Sequence, residues 1–368
     1  MVRGAVAAVA ELSRELAATV SRPWTLMEVC GGQTHAIVRW GLDQLLPPGL
    51  RLIHGPGCPV CVTPVAVLDR ALQLSRRPEV ILCSYGDMLR VPDGAGADLL
   101  GARAAGADVR LLTSPLQALA LAQQHPDRQV VFLAVGFETT APATALLARQ
   151  ALAVGLPNLS LLPAHGRVVP AMARLLAEPG CGVQGFLAAG HVAAVTGTGE
   201  LAALVAASGR PVVVAGFEPE LLMRALLVAV RLLEAGTPLL VNAYGSVVRE
   251  GGNPRARALL AEVFEPAPMT WRGVGAIAGG GFEFRGAYRR LDARHRFPAA
   301  AVPAAAVPAA AAPAAAVGSG CISGPILQGQ ALPADCPSFG TACTPEQPLG
   351  APMVSSEGAC AAYHRYRR

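Results

Sequence analysis

Two cysteines three residues apart carry the strongest chemical signal in the chain. The run Gly55-Pro56-Gly57-Cys58-Pro59-Val60-Cys61 follows a short apolar segment and opens a helix. It puts Cys58 at the helix N-cap, Pro59 at the first helical position and Cys61 one turn on. A dithiol so placed suits a thiol–disulfide couple, with the helix dipole favouring the Cys58 thiolate. Two buried cysteines or half of a zinc site are the other readings. A second run, residues 27–35, places Cys30, a glycine pair and His35 after the preceding apolar segment. If those two segments are adjacent strands, three thiols and an imidazole share one cleft, a donor set for a soft or borderline metal such as iron. In a third run, Gly136-Phe137-Glu138-Thr139-Thr140-Ala141-Pro142, Thr139 or Thr140 can cap a helix while Glu138 points into the cleft. Glutamate with two hydroxyls suits an anion, a metal or a nucleotide; the other reading makes the threonines plain caps. His165 and His191 follow later apolar segments. The last set is Cys321, Cys336, Cys343 and Cys360, spaced C-x14-C-x6-C-x16-C. Without the paired C-x2-C loops of a zinc ribbon, this spacing favours a 4Fe–4S cluster over structural zinc.

These residues need elements to hold them. Short Val-, Ile- and Leu-rich runs recur at a nearly constant interval: 25–29, 50–54, 79–83 and 108–112, then 129–135, 159–163, 183–188 and 211–215. Each ends in a glycine or proline turn, and helical patterns such as 65–75 and 116–124 lie between them. Strands alternating with helices predict βαβ units and parallel sheets. Gly-Phe-Glu at 136–138 and again at 216–218 suggests duplication, hence two sheets of four strands. The expected fold is α/β: two Rossmann-like domains plus an irregular, mostly helical and loop domain for the cluster. The expected divisions are 25–125, 126–243, and a third domain of 1–24 with 244–368. In that third domain, 298–317 is an alanine–proline low-complexity linker, because a proline every fifth residue forbids a regular helix. The cysteine-rich tail, 318–368, is too poor in apolar periodicity to order itself, and a metal site would do so. Gly273-x-Gly275-x-x-Ala278 imitates a dinucleotide fingerprint but follows no clear strand, so it is not assigned that role.

Composition narrows the chemistry. The 368 residues are 52% hydrophobic, enough for a sizeable core, and 5% aromatic, so that core is built of Ala, Val and Leu. All 30 basic residues are arginine. With no lysine, Schiff-base chemistry and a Walker A phosphate loop are excluded. The net charge of +5 has no compact basic tract, so nucleic acid is not an expected partner. Glu11, Arg14 and Glu15 interrupt the apolar N-terminal stretch, and no long uncharged apolar run appears, so neither a signal peptide nor a membrane span is expected. The expected compartment is the reducing cytoplasm, where the nine cysteines serve as metal ligands, redox groups or small hydrophobes.

Six stretches together resemble one family, the HypD maturation factors of NiFe hydrogenases. They are MEVCGGQTHAI (27–37), GPGCPVC (55–61), GFETTAP (136–142), VVAGFEP (213–219), WRGVG (271–275) and MVSSEGACAAY (353–363). They span nearly the whole chain in family order. The resemblance implies an assembly scaffold for an Fe(CN)2CO unit, with redox activity, rather than a stand-alone enzyme. It implies a small HypC-type chaperone as partner, a HypE-type cyanide donor and, indirectly, the hydrogenase large subunit. It also implies that Cys30 ligates the iron with a HypC cysteine, that Cys58 and Cys61 are the redox pair, and that the tail cysteines hold 4Fe–4S. This chain has Gln33 where many members have His, and Ser323 where members often have Cys, with Cys321 two positions earlier. Two further readings remain: a cluster-dependent disulfide reductase acting on another protein, and a structural zinc protein that bridges partners.

Overall fold

The computed structural model describes residues 2–298 and 320–367. The alanine–proline repeat therefore lies, beyond Pro298, outside the described residues. Nine strands form two wholly parallel sheets. Sheet one contains β1 (Trp24–Glu28), β2 (Leu50–His54), β7 (Gly185–Ala189), β8 (Val212–Ala215) and β9 (Leu240–Asn242), in the order β2-β1-β7-β8-β9. Sheet two contains β3 (Val80–Ser84), β4 (Val109–Leu111), β5 (Gln129–Gly136) and β6 (Leu159–His165), in the order β4-β3-β5-β6. The interior strands β3, β5, β7 and β8 are buried nearly throughout, as strands covered by helices on both faces must be. The α/β class and the two Rossmann-like sheets are as the sequence predicts.

The sharing of strands is not. The chain begins sheet one, leaves it after β2 to build all of sheet two, and returns at β7, where Leu26 pairs with Gly185 and Glu28 with Leu187. A division at residue 126 therefore cuts through sheet two. Periodic spacing fixes that strands are parallel but not which strand lies beside which. The N-terminal helix Val2–Thr19 also departs from expectation: Leu12 and Leu16 pack with Leu222 and Leu226 of the helix Pro219–Glu234, against sheet one and not with the C-terminal segments.

After β9 comes an antiparallel hairpin, β10 (Phe264–Trp271) with β11 (Gly275–Phe284), broken by a bulge between Ala267 and Met269. Pro266, Pro268 and the glycines at 279–281 make this hairpin read as irregular sequence. The dinucleotide-like glycines form its turn: Gly273 and Gly275 adopt φ of +78° and +103°. The tail is made of short helices. Ala351–Val354 packs against Pro59–Val62, and Ala359–Tyr366 packs against Gly31–Trp40. Among the described residues no single helix is long and apolar enough to cross a membrane.

Candidate metal centre and dithiol

The carboxyl ends of β1 and β2 lie side by side, and each runs straight into a cysteine. Cys30 is the N-cap residue of the helix Gly31–Trp40, and Cys58 that of Pro59–Val62. Their loops touch. The Gly31 N–H donates to the Gly57 carbonyl at 2.9 Å, and a Cβ on Gly57 would lie 2.3 Å from the Cys30 nitrogen. Only glycine permits that approach. Cys58 and Cys61 are joined as a disulfide, and the Cys58 sulfur accepts the Cys61 N–H at 3.2 Å. Pro59 occupies the first turn, as expected, but the helix is a single turn that ends before Pro64. It contributes little of the dipole that the sequence reading invoked for Cys58.

Cys30 is buried, and its Sγ lies 3.6 Å from His191 Nδ1. Burial, and then the carboxylates of Glu28 and Glu357, push its thiol above the ordinary range. Without a cation the sulfur is a neutral thiol, and a bound metal ion would release its proton. Burial also holds His191 below the ordinary histidine value, leaving a neutral imidazole free to ligate or accept. The imidazole beside Cys30 is thus His191, 161 residues away in sequence. His35 is turned from the thiol: Nδ1 is 3.1 Å from the Ser356 carbonyl and Nε2 3.2 Å from the Tyr366 hydroxyl. Gln33 is buried, and its amide nitrogen bonds the carbonyls of Ala188 and Ala215 at the ends of β7 and β8.

Beneath Cys30 lies a polar network that the motif reading missed. Glu28 and His54 are register partners on β1 and β2. The Cys30 N–H donates to Glu28 Oε2 at 2.9 Å, and the Thr34 hydroxyl donates to Oε1. His54 Nδ1 is 2.7 Å from the same Oε1, and His54 Nε2 is 3.1 Å from the Tyr363 hydroxyl. Burial pushes that hydroxyl up to about 12, so it remains a protonated donor. Donation from Tyr363 to Nε2 leaves the His54 proton on Nδ1, facing the Glu28 carboxylate. The signal was present: each acid or imidazole is the last residue of a strand whose loop carries a cysteine.

The Glu138 triplet divides. Thr139 and Thr140 line a cleft of about 610 Å3 with Val60, Asp87, Ser355 and Glu357, on the dithiol side. Thr140 is the N-cap residue of Ala141–Ala153, but its hydroxyl turns back to the Phe137 carbonyl. Glu138 faces a different cleft, about 1030 Å3, with Arg167, Glu200, Arg257 and Phe282. One carboxyl oxygen accepts the Val168 N–H at 2.9 Å; the other has no protein partner. Burial pushes Glu138 up to about 7 from an ordinary 4.5. Because the folded value exceeds the unfolded one, folding favours the protonated form. The contribution of Glu138 to stability is therefore complete below about 4.5 and is lost as pH rises to about 7, roughly 3 kcal/mol. The urea midpoint of the wild type, relative to that of Glu138→Gln, should fall across that interval; parallel curves would count against the assignment. His165, at the end of β6, is buried with Nε2 near the Thr144 hydroxyl and is held down to about 3 by burial, so it stays neutral.

The four tail cysteines converge. The Cys360 thiol is raised first by burial and then by Cys321, Cys343 and Cys336; Cys343 is raised by burial and by Cys321 and Cys336. The Leu349 N–H donates to Cys343 Sγ at 3.3 Å, and a Cβ on Gly350 would lie 2.7 Å from Cys321 Sγ. Among the described residues no three Cys, His, Asp or Glu side chains are close enough to hold a single ion. Four cysteine sulfurs in one locality, one already accepting a backbone N–H, are a donor set of the kind that thiolate-bound metal groups use.

The chain matches the family model HypD, described as the hydrogenase formation hypA family, over residues 5–367. It is 45% identical over 367 residues to the hydrogenase maturation factor HypD of Rhodobacter capsulatus, covering 100% of this chain and 95% of that protein. It is 46% identical to HypD of Azotobacter vinelandii, covering 97% and 94% of the two chains. With HypD of Escherichia coli strain K12 it shares 43% identity over 359 residues, covering 97% and 93%.

Proposed function

The chain belongs to the HypD family of hydrogenase maturation factors, and from that premise we propose that it is the cytoplasmic scaffold on which the Fe(CN)2CO unit of a NiFe hydrogenase is built. The observation that carries this reading is the meeting of Cys30, His191 and the Cys58–Cys61 loop at one sheet edge. In α/β folds that edge is where ligands bind.

The incoming iron is cargo. Cys30 Sγ gives up its proton to bind it, together with a cysteine of a HypC-type chaperone, and His191 stands within reach as a further donor or proton acceptor. Cyanide arrives from a HypE-type donor. The neighbouring Cys58–Cys61 pair is a two-electron, two-proton dithiol–disulfide couple. When bound by Cys321, Cys336, Cys343 and Cys360, a 4Fe–4S cluster supplies one-electron storage. Ala351–Val354, between Cys343 and Cys360 in the chain, packs on the helix that carries Cys61, so the tail and the dithiol abut. Cys58 and Cys61 are only 3% and 1% exposed. Their burial favours an internal redox partner over a reductase acting on free protein disulfides.

Anaerobic co-purification with a HypC-type partner, followed by infrared spectroscopy, tests the reading. Fe–CN and Fe–CO stretches in the wild-type complex are expected. A complex that forms but carries neither would overturn it.

A further inference from the structure

The helix Ala359–Tyr366 serves two places at once. Cys360 points into the tail quartet, while Tyr363, one turn on, reaches β2. The Tyr363 ring stands edge-on to His54 with centroids 5.5 Å apart, and its hydroxyl is 3.1 Å from Nε2. From His54 the contacts continue to Glu28 at 2.7 Å and from Glu28 to the Cys30 N–H at 2.9 Å. Glu28 and His54 are 0% and 3% exposed. In so dry a setting, loss of one member leaves the next with an unmet hydrogen bond. The same segment grips the Cys30 helix twice more. His35 is held between Ser356 and Tyr366, and a Cβ on Gly31 would lie 2.5 Å from Glu357 Cβ.

The tail is anchored to the rest of the chain through Ala351 and Val354 beside sheet two, Leu327 beside sheet one and the Arg367–Asp43 ion pair. Its own apolar centre consists of Ile326, Met353 and Ala359 around Cys343 and Cys360. Cys360 and Tyr363 share the helix Ala359–Tyr366, so whatever fixes the Cys360 sulfur adds a constraint on the helix that presents Tyr363.

We propose that the chain Tyr363–His54–Glu28 is a latch through which occupancy of the tail quartet sets the geometry of the Cys30 loop. Tyr363 and His54 are then positioning residues for the iron site, and the order of loading is cluster first, iron second. The inference rests on the cluster and iron assignments proposed above.

The test uses the full chain, purified anaerobically as wild type and as Tyr363→Phe, which keeps the ring against His54 and removes only the hydroxyl. Iron and sulfide content are measured on every sample. The rate at which iodoacetamide alkylates Cys30 is then read by peptide mass spectrometry, before and after the cluster is extracted with a chelator. Because Cys30 is buried, the rate reports opening of its loop. In the wild type, extraction should speed alkylation about tenfold, on the scale of one buried charge-assisted hydrogen bond. In Tyr363→Phe the loaded protein should already react at nearly the extracted rate, so the ratio between the two states collapses toward one. A purely structural role for Tyr363 would move both rates alike and leave the ratio intact. Sulfide-bearing Tyr363→Phe that protects Cys30 as well as the wild type overturns the latch alone. Wild-type protein without sulfide overturns the cluster reading beneath it.

Discussion

Alanine in place of Cys30 is expected to abolish retention of iron in the complex with a HypC-type partner while leaving the Cys58–Cys61 couple titratable. The two loops touch through backbone, Gly31 to Gly57, so the contact survives loss of the Cys30 side chain. What disappears is the one sulfur beside His191. The cost to folding should be small, about 1 kcal/mol for a short buried side chain whose backbone bond to Glu28 is kept. The converse variants, Cys58→Ala and Cys61→Ala, should keep iron binding and lose the reversible two-electron couple, expected at roughly −200 to −300 mV for a cytosolic dithiol. All three should block hydrogenase maturation. Normal maturation in strains carrying Cys58→Ala or Cys61→Ala would make the pair merely structural.

The second large effect concerns the tail. Serine at Cys336, Cys343 or Cys360 should abolish an oxygen-sensitive absorption near about 400 nm and reduce iron from about four per chain to background. Cys321→Ser belongs with them, because Cys321 acts on both Cys343 and Cys360. The thermal midpoint should fall as well, since a group that binds only the folded chain stabilises it. The effect on the tail should exceed that on sheet two, which limited proteolysis can distinguish. Stoichiometric zinc without sulfide in the wild type would refute the cluster.

How far these sites can be read from sequence depends on distance along the chain. The Cys30 and Cys58 loops were legible because each follows a short apolar run with a glycine stop, and parallel sheets place such loops on one edge. The imidazole was misassigned because His35 is near in sequence while His191 is near in space, brought there only by the pairing of β1 with β7. That pairing leaves no local trace: β1 could have taken any buried parallel neighbour. The Glu28–His54 contact needed strand register, which neither residue type announces by itself. The hairpin was hidden by its own composition, with prolines in β10 and glycines in β11. Glu138 was read as pointing into the cleft together with Thr139 and Thr140, but its side chain faces a separate cleft.

The detour of the chain through sheet two also has a consequence for synthesis. A polypeptide emerging from the ribosome delivers Cys30, Cys58 and Cys61 early, but β7 and His191 only after all four strands of sheet two. Sheet two can close on itself in the meantime, whereas β1 must wait with one flank bare for a partner that closes a loop of more than a hundred residues. The nascent thiols thus spend translation without their imidazole and without the C-terminal helix behind them. On the iron reading proposed above, the site is completed last, so half-made chains do not possess it and stray ions meeting them on the ribosome find no finished place to lodge.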